Sequence, residues 1–167
     1  MAIPAGKRRV YLETTVVSYL VARPFRDVLM VAKQAATEQW WREHRVFYDV
    51  FVSELVLAEA QEGDPVASRR RMEFLANIPS LSVLPEARSL TKRLLKARAI
   101  PSAAEDDAAH VALATVHRID VLLTWNCRHI ANVITLPLIR QVLEQSGYRP
   151  PEISTPENLL ESFGAEP

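Results

Sequence analysis

Apolar positions fall in short runs separated by polar turns, and the periods of the runs alternate. Arg9 to Leu12 is a β-branched and aromatic run, read as a strand ending at Glu13. Thr14 or Thr15 can cap a short helix through about Val21, which Pro24 stops. Asp27 to about His44 reads as a longer amphipathic helix, with Val28, Val31, Ala32 and Ala35 on one inward side. Val46 to Val52 is rich in valine and aromatics and predicts a second strand, after which Ser53 caps a helix carrying Leu55, Leu57, Ala58 and Glu59. In Gly63-Asp64-Pro65, the glycine ends one helix, the aspartate caps the next and the proline occupies its first turn.

That helix runs to about Asn77, where Pro79 breaks it, and Leu81 to Leu84 reads as a short strand. Glu86 to about Ala99 is another helix, stopped at Ile100-Pro101. Ser102-Ala103-Ala104-Glu105 has the form of a capping box, opening a helix to about His117 with Val111, Ala112 and Thr115 inward. Asp120 to Thr124 is a buried-looking strand. A helix from about Leu136 to Gln145 with Gly147 as its C-cap follows, then an edge strand at Ile153 and a short helix opened by Thr155-Pro156-Glu157. Strands separated by one or two helices predict a mainly parallel sheet of four to five strands, covered on both faces.

In open parallel sheets ligands bind beyond the carboxyl ends of the strands. Glu13 and Asn126 stand just past two of these ends, and converge if the Arg9–Leu12 and Asp120–Thr124 strands are neighbours. Asp107 sits in the first turns of its helix, where the helix dipole favours a carboxylate, and His110 shares its face. Glu59 belongs to the helix after the second strand, with a rival in Glu54 beside the capping serine; Asp106 likewise competes with Asp107, which the Asp-x-x-His spacing selects. Clustered carboxylates repel one another unless a cation fills the cleft. Oxygen ligands suit Mg²⁺ or Mn²⁺, ions that polarise phosphoryl oxygens and activate water.

Composition adds bounds. At 167 residues the chain is most simply one domain, 1–167, able to bury roughly two-thirds of its unfolded surface. Twenty Lys+Arg balance twenty Asp+Glu, so a polyanion must be held by a local basic patch. The one cysteine, Cys127, cannot form an intrachain disulfide. No apolar run reaches the ~18 residues of a membrane span, and the apolar run at Met1–Arg9 is too short for a signal peptide; a cytoplasmic protein is the expectation. With four glycines and no Gly-rich loop a nucleotide cradle is not indicated, and Glu13-Thr14-Thr15 is not the Asp-x-Asp of an aspartyl-phosphate enzyme.

Four blocks carry a resemblance: Tyr11–Leu20, Ser53–Glu59, Asp107–Ala114 and Leu123–Ile130, with Ile153–Leu160 after them. In this order and spacing they resemble the blocks of PIN-domain nucleases, closest to VapC-like toxins of toxin–antitoxin pairs. The resemblance implies a three-layer α/β/α fold, Mg²⁺- or Mn²⁺-dependent cleavage of RNA, a small inhibitory antitoxin protein as partner and a homodimer. It places the metal acids at Glu13, Glu59 and Asp107, with Asn126 in the fourth catalytic position. Two residues depart from the usual pattern: Glu13 and Asn126 stand where aspartates are common. The amide brings no charge, so metal affinity should be weaker. That opens a rival function, a PIN scaffold that binds RNA or protein with little catalysis.

Around these, His110 is expected to orient the acids rather than ligate. Thr15 and Thr124 either hydrogen-bond a carboxylate or cap strand ends, and Arg128 is the best placed phosphate contact. Arg69-Arg70-Arg71 and the Lys92–Arg98 cations read as solvated faces that could also meet RNA phosphates. Cys127, His129 and His110 match no standard zinc spacing. Trp40 and Trp41 cannot both face one core, so one is expected at an interface.

Overall fold

Five strands, β1 (Arg8–Leu12), β2 (Tyr48–Ser53), β3 (Ser80–Leu81), β4 (Val121–Leu123) and β5 (Glu152–Ser154), form one sheet in the order β3-β2-β1-β4-β5, all parallel. The computed structural model describes residues 6–164; residues 1–5 and 165–167 lie outside the described part, including the start of the Met1–Arg9 stretch. Val10, Tyr11, Leu12, Leu122 and Leu123 are fully buried, as expected for central strands covered on both faces. Leu12 pairs with Leu123, so the ends of β1 and β4 are level. Glu13 and Thr124 therefore leave the sheet side by side. Asp120 anchors the other end by accepting the Arg9 backbone N–H at 2.8 Å.

The helices are α1 (Thr14–Val21), α2 (Val28–Gln39), α3 (Glu54–Ala60), α4 (Pro65–Leu75), α5 (Pro85–Lys96), α6 (Glu105–Val116), α7 (Leu136–Gln145) and α8 (Pro156–Gly164). α5, α6 and α7 pack together, as do α1, α2, α4 and α8, giving the expected α/β/α layers. Asp64 caps α4 by accepting Ala67 N–H at 2.9 Å. α7 ends with Gly147 at φ +86 while the Tyr148 N–H returns to the Leu143 carbonyl, as its glycine predicted.

Several local expectations are corrected. Neither threonine caps α1: the chain turns straight out of β1, so Glu13 is the N-cap and its carboxylate accepts the Thr15 N–H at 3.2 Å. The serine of Ser102–Ala104 forms a tight 3-10 turn, and α6 starts at Glu105 without a side-chain cap. The strand expected from Val46 starts at Tyr48, because Arg45–Phe47 form another 3-10 turn, and the strand expected over Leu81–Leu84 shrinks to Ser80–Leu81.

The long helix stops at Gln39 and passes into a π-helical turn at Trp40–His44. Its face is also rotated from the expected one: Gln34, Thr37 and Trp40 are buried, whereas Val28 and Val31 are exposed. Polar contacts decide the rotation. Gln34 Nε2 donates to the Tyr19 and Ala22 carbonyls, and Trp125 Nε1 donates to Thr37 Oγ1 at 2.8 Å. Of the tryptophan pair, Trp40 is buried and Trp41 packs edgewise on Phe74.

Candidate metal centre

Strand β1 sends Tyr11 and Glu13 to the same side, since alternate residues share a face. Glu13 is only 3% exposed, an expensive place for a carboxylate unless it is well bonded. Its Oε2 accepts from the Thr15 hydroxyl and backbone N–H and, at 2.8 Å, from Thr124 Oγ1. These threonines also join the two strand ends. Thr15 Oγ1 accepts Trp125 N–H and Thr124 Oγ1 accepts Asn126 N–H, each at 2.9 Å.

His110, fully buried on α6, faces Glu13 and Glu59 together. Its Nε2–H donates to Glu59 Oε1 at 2.6 Å and lies 4.0 Å from Glu13 Oε1. Nδ1 is bonded to the Tyr11 hydroxyl at 2.7 Å, and that hydroxyl meets Ser53 Oγ at 2.7 Å. Ser53 in turn caps α3 by accepting Val56 N–H. Ligand atoms of Glu13, Glu59 and His110 all lie within 4.8 Å of one another. Thr14 Oγ1 is buried beside them without a hydrogen-bond partner.

Asp107 and Asn126 are held elsewhere. His129 Nδ1–H donates to Asp107 Oδ2 at 2.8 Å, and the His129 backbone N–H donates to Asn126 Oδ1 at 3.0 Å. His129 thus ties the loop after β4 to the first turn of α6. Arg128, one residue earlier, is exposed and its guanidinium makes no hydrogen bond among the described residues. Glu54 turns away to accept the Val83 N–H at 2.8 Å, and Asp106 is exposed.

The three acids share a pattern. Each has one oxygen pinned by protein donors: Oε2 of Glu13, Oε1 of Glu59 and Oδ2 of Asp107. The other oxygen of each has no hydrogen-bond partner among the described residues, which fixes orientation while leaving a lone pair free.

Electrostatics follow from the pairing. Burial alone pushes His110 down, but the Glu59 hydrogen bond and the charges of Glu13, Glu59 and Asp107 outweigh it, so the imidazole is held above its ordinary value. Burial raises Glu59, and the hydrogen bond and charge of His110 overcome this, holding it below the usual range. Burial drives the Tyr11 phenol well above its ordinary value, the adjacent Glu13 and Glu59 charges adding to it against the Ser53 hydrogen bond. The residues fit a hard cation by donor type: facing carboxylates, free oxygens and an orphaned hydroxyl at one point.

A cleft of about 740 Å³ opens from the site between α1 and α4, lined by Glu13, Thr14, Glu59, Tyr19, Arg23 and Arg70 among others. Sequence reasoning placed Glu13, Glu59 and His110, but missed Tyr11, Ser53 and His129. The alternation along β1 that puts Tyr11 on the face of Glu13 was a signal for the first. The other two depend on tertiary packing.

No family model and no curated protein matches the sequence. A solved structure does: the crystal structure of VapBC2 from Rickettsia felis bound to a DNA fragment from their promoter, with 13% identity, a TM-score of 0.52, and coverage of 87% of this chain and 97% of that one. At that identity the likeness is one of fold. The parallel sheet, its layers and this neighbour together give the chain the three-layer, PIN-like α/β/α fold that its four sequence blocks implied.

Proposed function

We propose that the chain is a single-domain, metal-dependent endoribonuclease acting as the cytoplasmic toxin of a toxin–antitoxin pair, with Mg²⁺ or Mn²⁺ held by Glu13, Glu59 and Asp107. The observation that carries this is the pinned-and-free pattern of the three acids beyond the ends of β1 and β4, at the mouth of a cleft. A divalent ion bound there supplies Lewis-acid polarisation of a phosphoryl oxygen and an acidified water. The protein's own part is orientation. Thr15 and Thr124 hold Glu13, His110 holds Glu59, and His129 holds Asp107. Both ring nitrogens of His110 are engaged, so it braces the acids rather than offering a lone pair. Exposed Arg128 stands beside Asn126 to meet a substrate phosphate.

The neighbour's VapBC2 composition supports an antitoxin partner. Val28 and Leu29, 80% and 73% exposed, offer apolar surface for that partner or a second copy. No helix among the described residues is long and apolar enough to cross a membrane.

The test is cleavage of single-stranded RNA with Mn²⁺ by the wild type, Glu13→Gln and Asp107→Asn. Loss in both variants with unchanged melting supports the assignment; full activity in either sinks it. A second reading, a scaffold that binds without cutting, draws support from Asn126, whose amide oxygen is occupied by His129. Calorimetric Mn²⁺ titration separates the two, since absence of binding at millimolar metal leaves only the scaffold.

A further inference from the structure

The cleft holds more than acids. α1 runs along it from Glu13 at its N-cap to Arg23 just past its C-terminus, and α4 brings Arg70. Eight helical residues span roughly 12 Å. That is several times the ~3.4 Å axial spacing of phosphates along one strand. A strand whose scissile phosphate sits at Glu13 and Glu59 would lay its neighbouring phosphates along the arginines.

The arginines differ in what they are free to do. Arg71, though it lines the cleft, is committed to structure, donating to the Ala60 carbonyl at 3.0 Å and the Glu62 carbonyl at 2.6 Å. Arg8, Arg9, Arg42 and Arg149 likewise have carboxylate or carbonyl partners. Arg23 and half-buried Arg70 have neither an ion pair nor a hydrogen bond among the described residues. The cleft's remaining carboxylate, Asp64, is turned to its capping role on Ala67 N–H and forms no ion pair with either. Arg69, adjacent in sequence, is exposed and outside the cleft lining. Between the acids and the arginines lie Tyr19 and Phe25, their rings 5.4 Å apart and tilted, a wall of the kind on which bases stack. In a protein of zero net charge, two unpaired guanidiniums facing the cleft of a carboxylate centre need an anionic partner.

We propose that this cleft seats a single-stranded phosphodiester chain, with Arg23 and Arg70 each neutralising a phosphate that flanks the one at Glu13 and Glu59. The assignment rests on the nuclease reading and adds to it the path of the substrate and the two cations that position it.

The experiment is fluorescence anisotropy of labelled oligouridine, and of the matching DNA, with the intact chain in EDTA over a series of salt concentrations. Each phosphate released lowers the slope of log affinity against log salt by about 0.7 for a single strand. Arg23→Ala and Arg70→Ala should each flatten the slope by that amount, and the double variant by about twice it. Arg70→Lys should keep the slope, and Arg69→Ala should leave it unchanged. Melting curves identify any variant that fails to fold, and Arg70→Lys then carries the comparison with Arg69→Ala. Unchanged slopes in Arg23→Ala and Arg70→Ala, or an equal change in Arg69→Ala, overturn the proposal and leave the cleft to a peptide partner. A wild type that binds and cuts RNA with those slopes unchanged sinks the path alone. A wild type that neither binds nor cuts sinks the nuclease reading with it.

Discussion

Replacing His110 with asparagine tests the organisation of the centre. Asparagine reaches the Nδ1 position, so the Tyr11 bond can persist, but nothing reaches Glu59. The direct loss is one short hydrogen bond to a charged acceptor, 2.6 Å, about 1.5–3 kcal/mol. The missing ring atoms leave a void worth about 1 kcal/mol more. The Glu59 side chain is 25% exposed and can rehydrate, so the full cost of a stranded buried charge does not apply. The sum is about 2.5–4 kcal/mol.

The pH dependence is specific. His110 is held above its unfolded value of 6.5, so its contribution is complete below that pH and fades as pH rises through the folded value. Glu59 is held below its unfolded value of 4.5, so its contribution is complete above that pH and fades as pH falls through the folded value. The gap between wild type and variant should therefore be widest between these two reference values and narrow above neutrality, where a neutral N–H donor remains. Urea unfolding at several pH values, without metal, measures it. His110→Gln, which can still reach Glu59 with a neutral donor, should lose less and show a flatter pH profile. A gap under about 1 kcal/mol near pH 5.5, or one that widens above neutrality, would refute the reasoning.

Two further substitutions probe the frame around the site. Thr124→Val removes a donor from Glu13 and an acceptor from Asn126 N–H, and should cost about 2–4 kcal/mol in urea unfolding and weaken Mn²⁺ binding by calorimetry. Gly147→Ala meets no atom within 4 Å but forces φ +86 on an alanine; thermal unfolding should show a loss of about 1–2 kcal/mol with RNA cleavage unchanged.

What could be read in the sequence was whatever local chemistry decides. Ser53, Asp64-Pro65 and Gly147 mark helix ends because caps and left-handed turns need those residue types, and they stand where expected. Runs such as Val121–Leu123 announce buried parallel strands. The failures have tertiary causes. The apolar side of α2 faces outward because Gln34 and Thr37 find partners on α1, its connection and Trp125, contacts that no periodicity encodes. Ser102 fits a capping pattern, yet the chain spends one 3-10 turn after Pro101 before α6 begins. Glu13 was legible as a site residue but not as the cap of α1, because both roles use the same carboxylate.

That double use bears on the two departures from the usual acidic pattern. A glutamate at the end of β1 is long enough for Oε2 to be tied to Thr15 and Thr124 while Oε1 stays directed toward His110. The extra methylene therefore comes with fixed anchors and need not loosen the site. Asn126 shows the opposite trade. Its amide oxygen accepts the His129 N–H, its backbone N–H is held by Thr124, and its place is that of a loop pin. The charge missing there is not replaced by any other acid at the centre, where His110 instead adds a proton donor between two carboxylates. A site so built has less negative charge to draw a cation but more of its geometry set in advance. Its weakness and its order have separate signatures: lower metal affinity from the missing charge, and a small loss of activity once the metal is saturating. An Asn126→Asp variant should raise affinity only if the new carboxylate can leave His129, so the cost of breaking that pin sets the limit on what restoring the acid can gain.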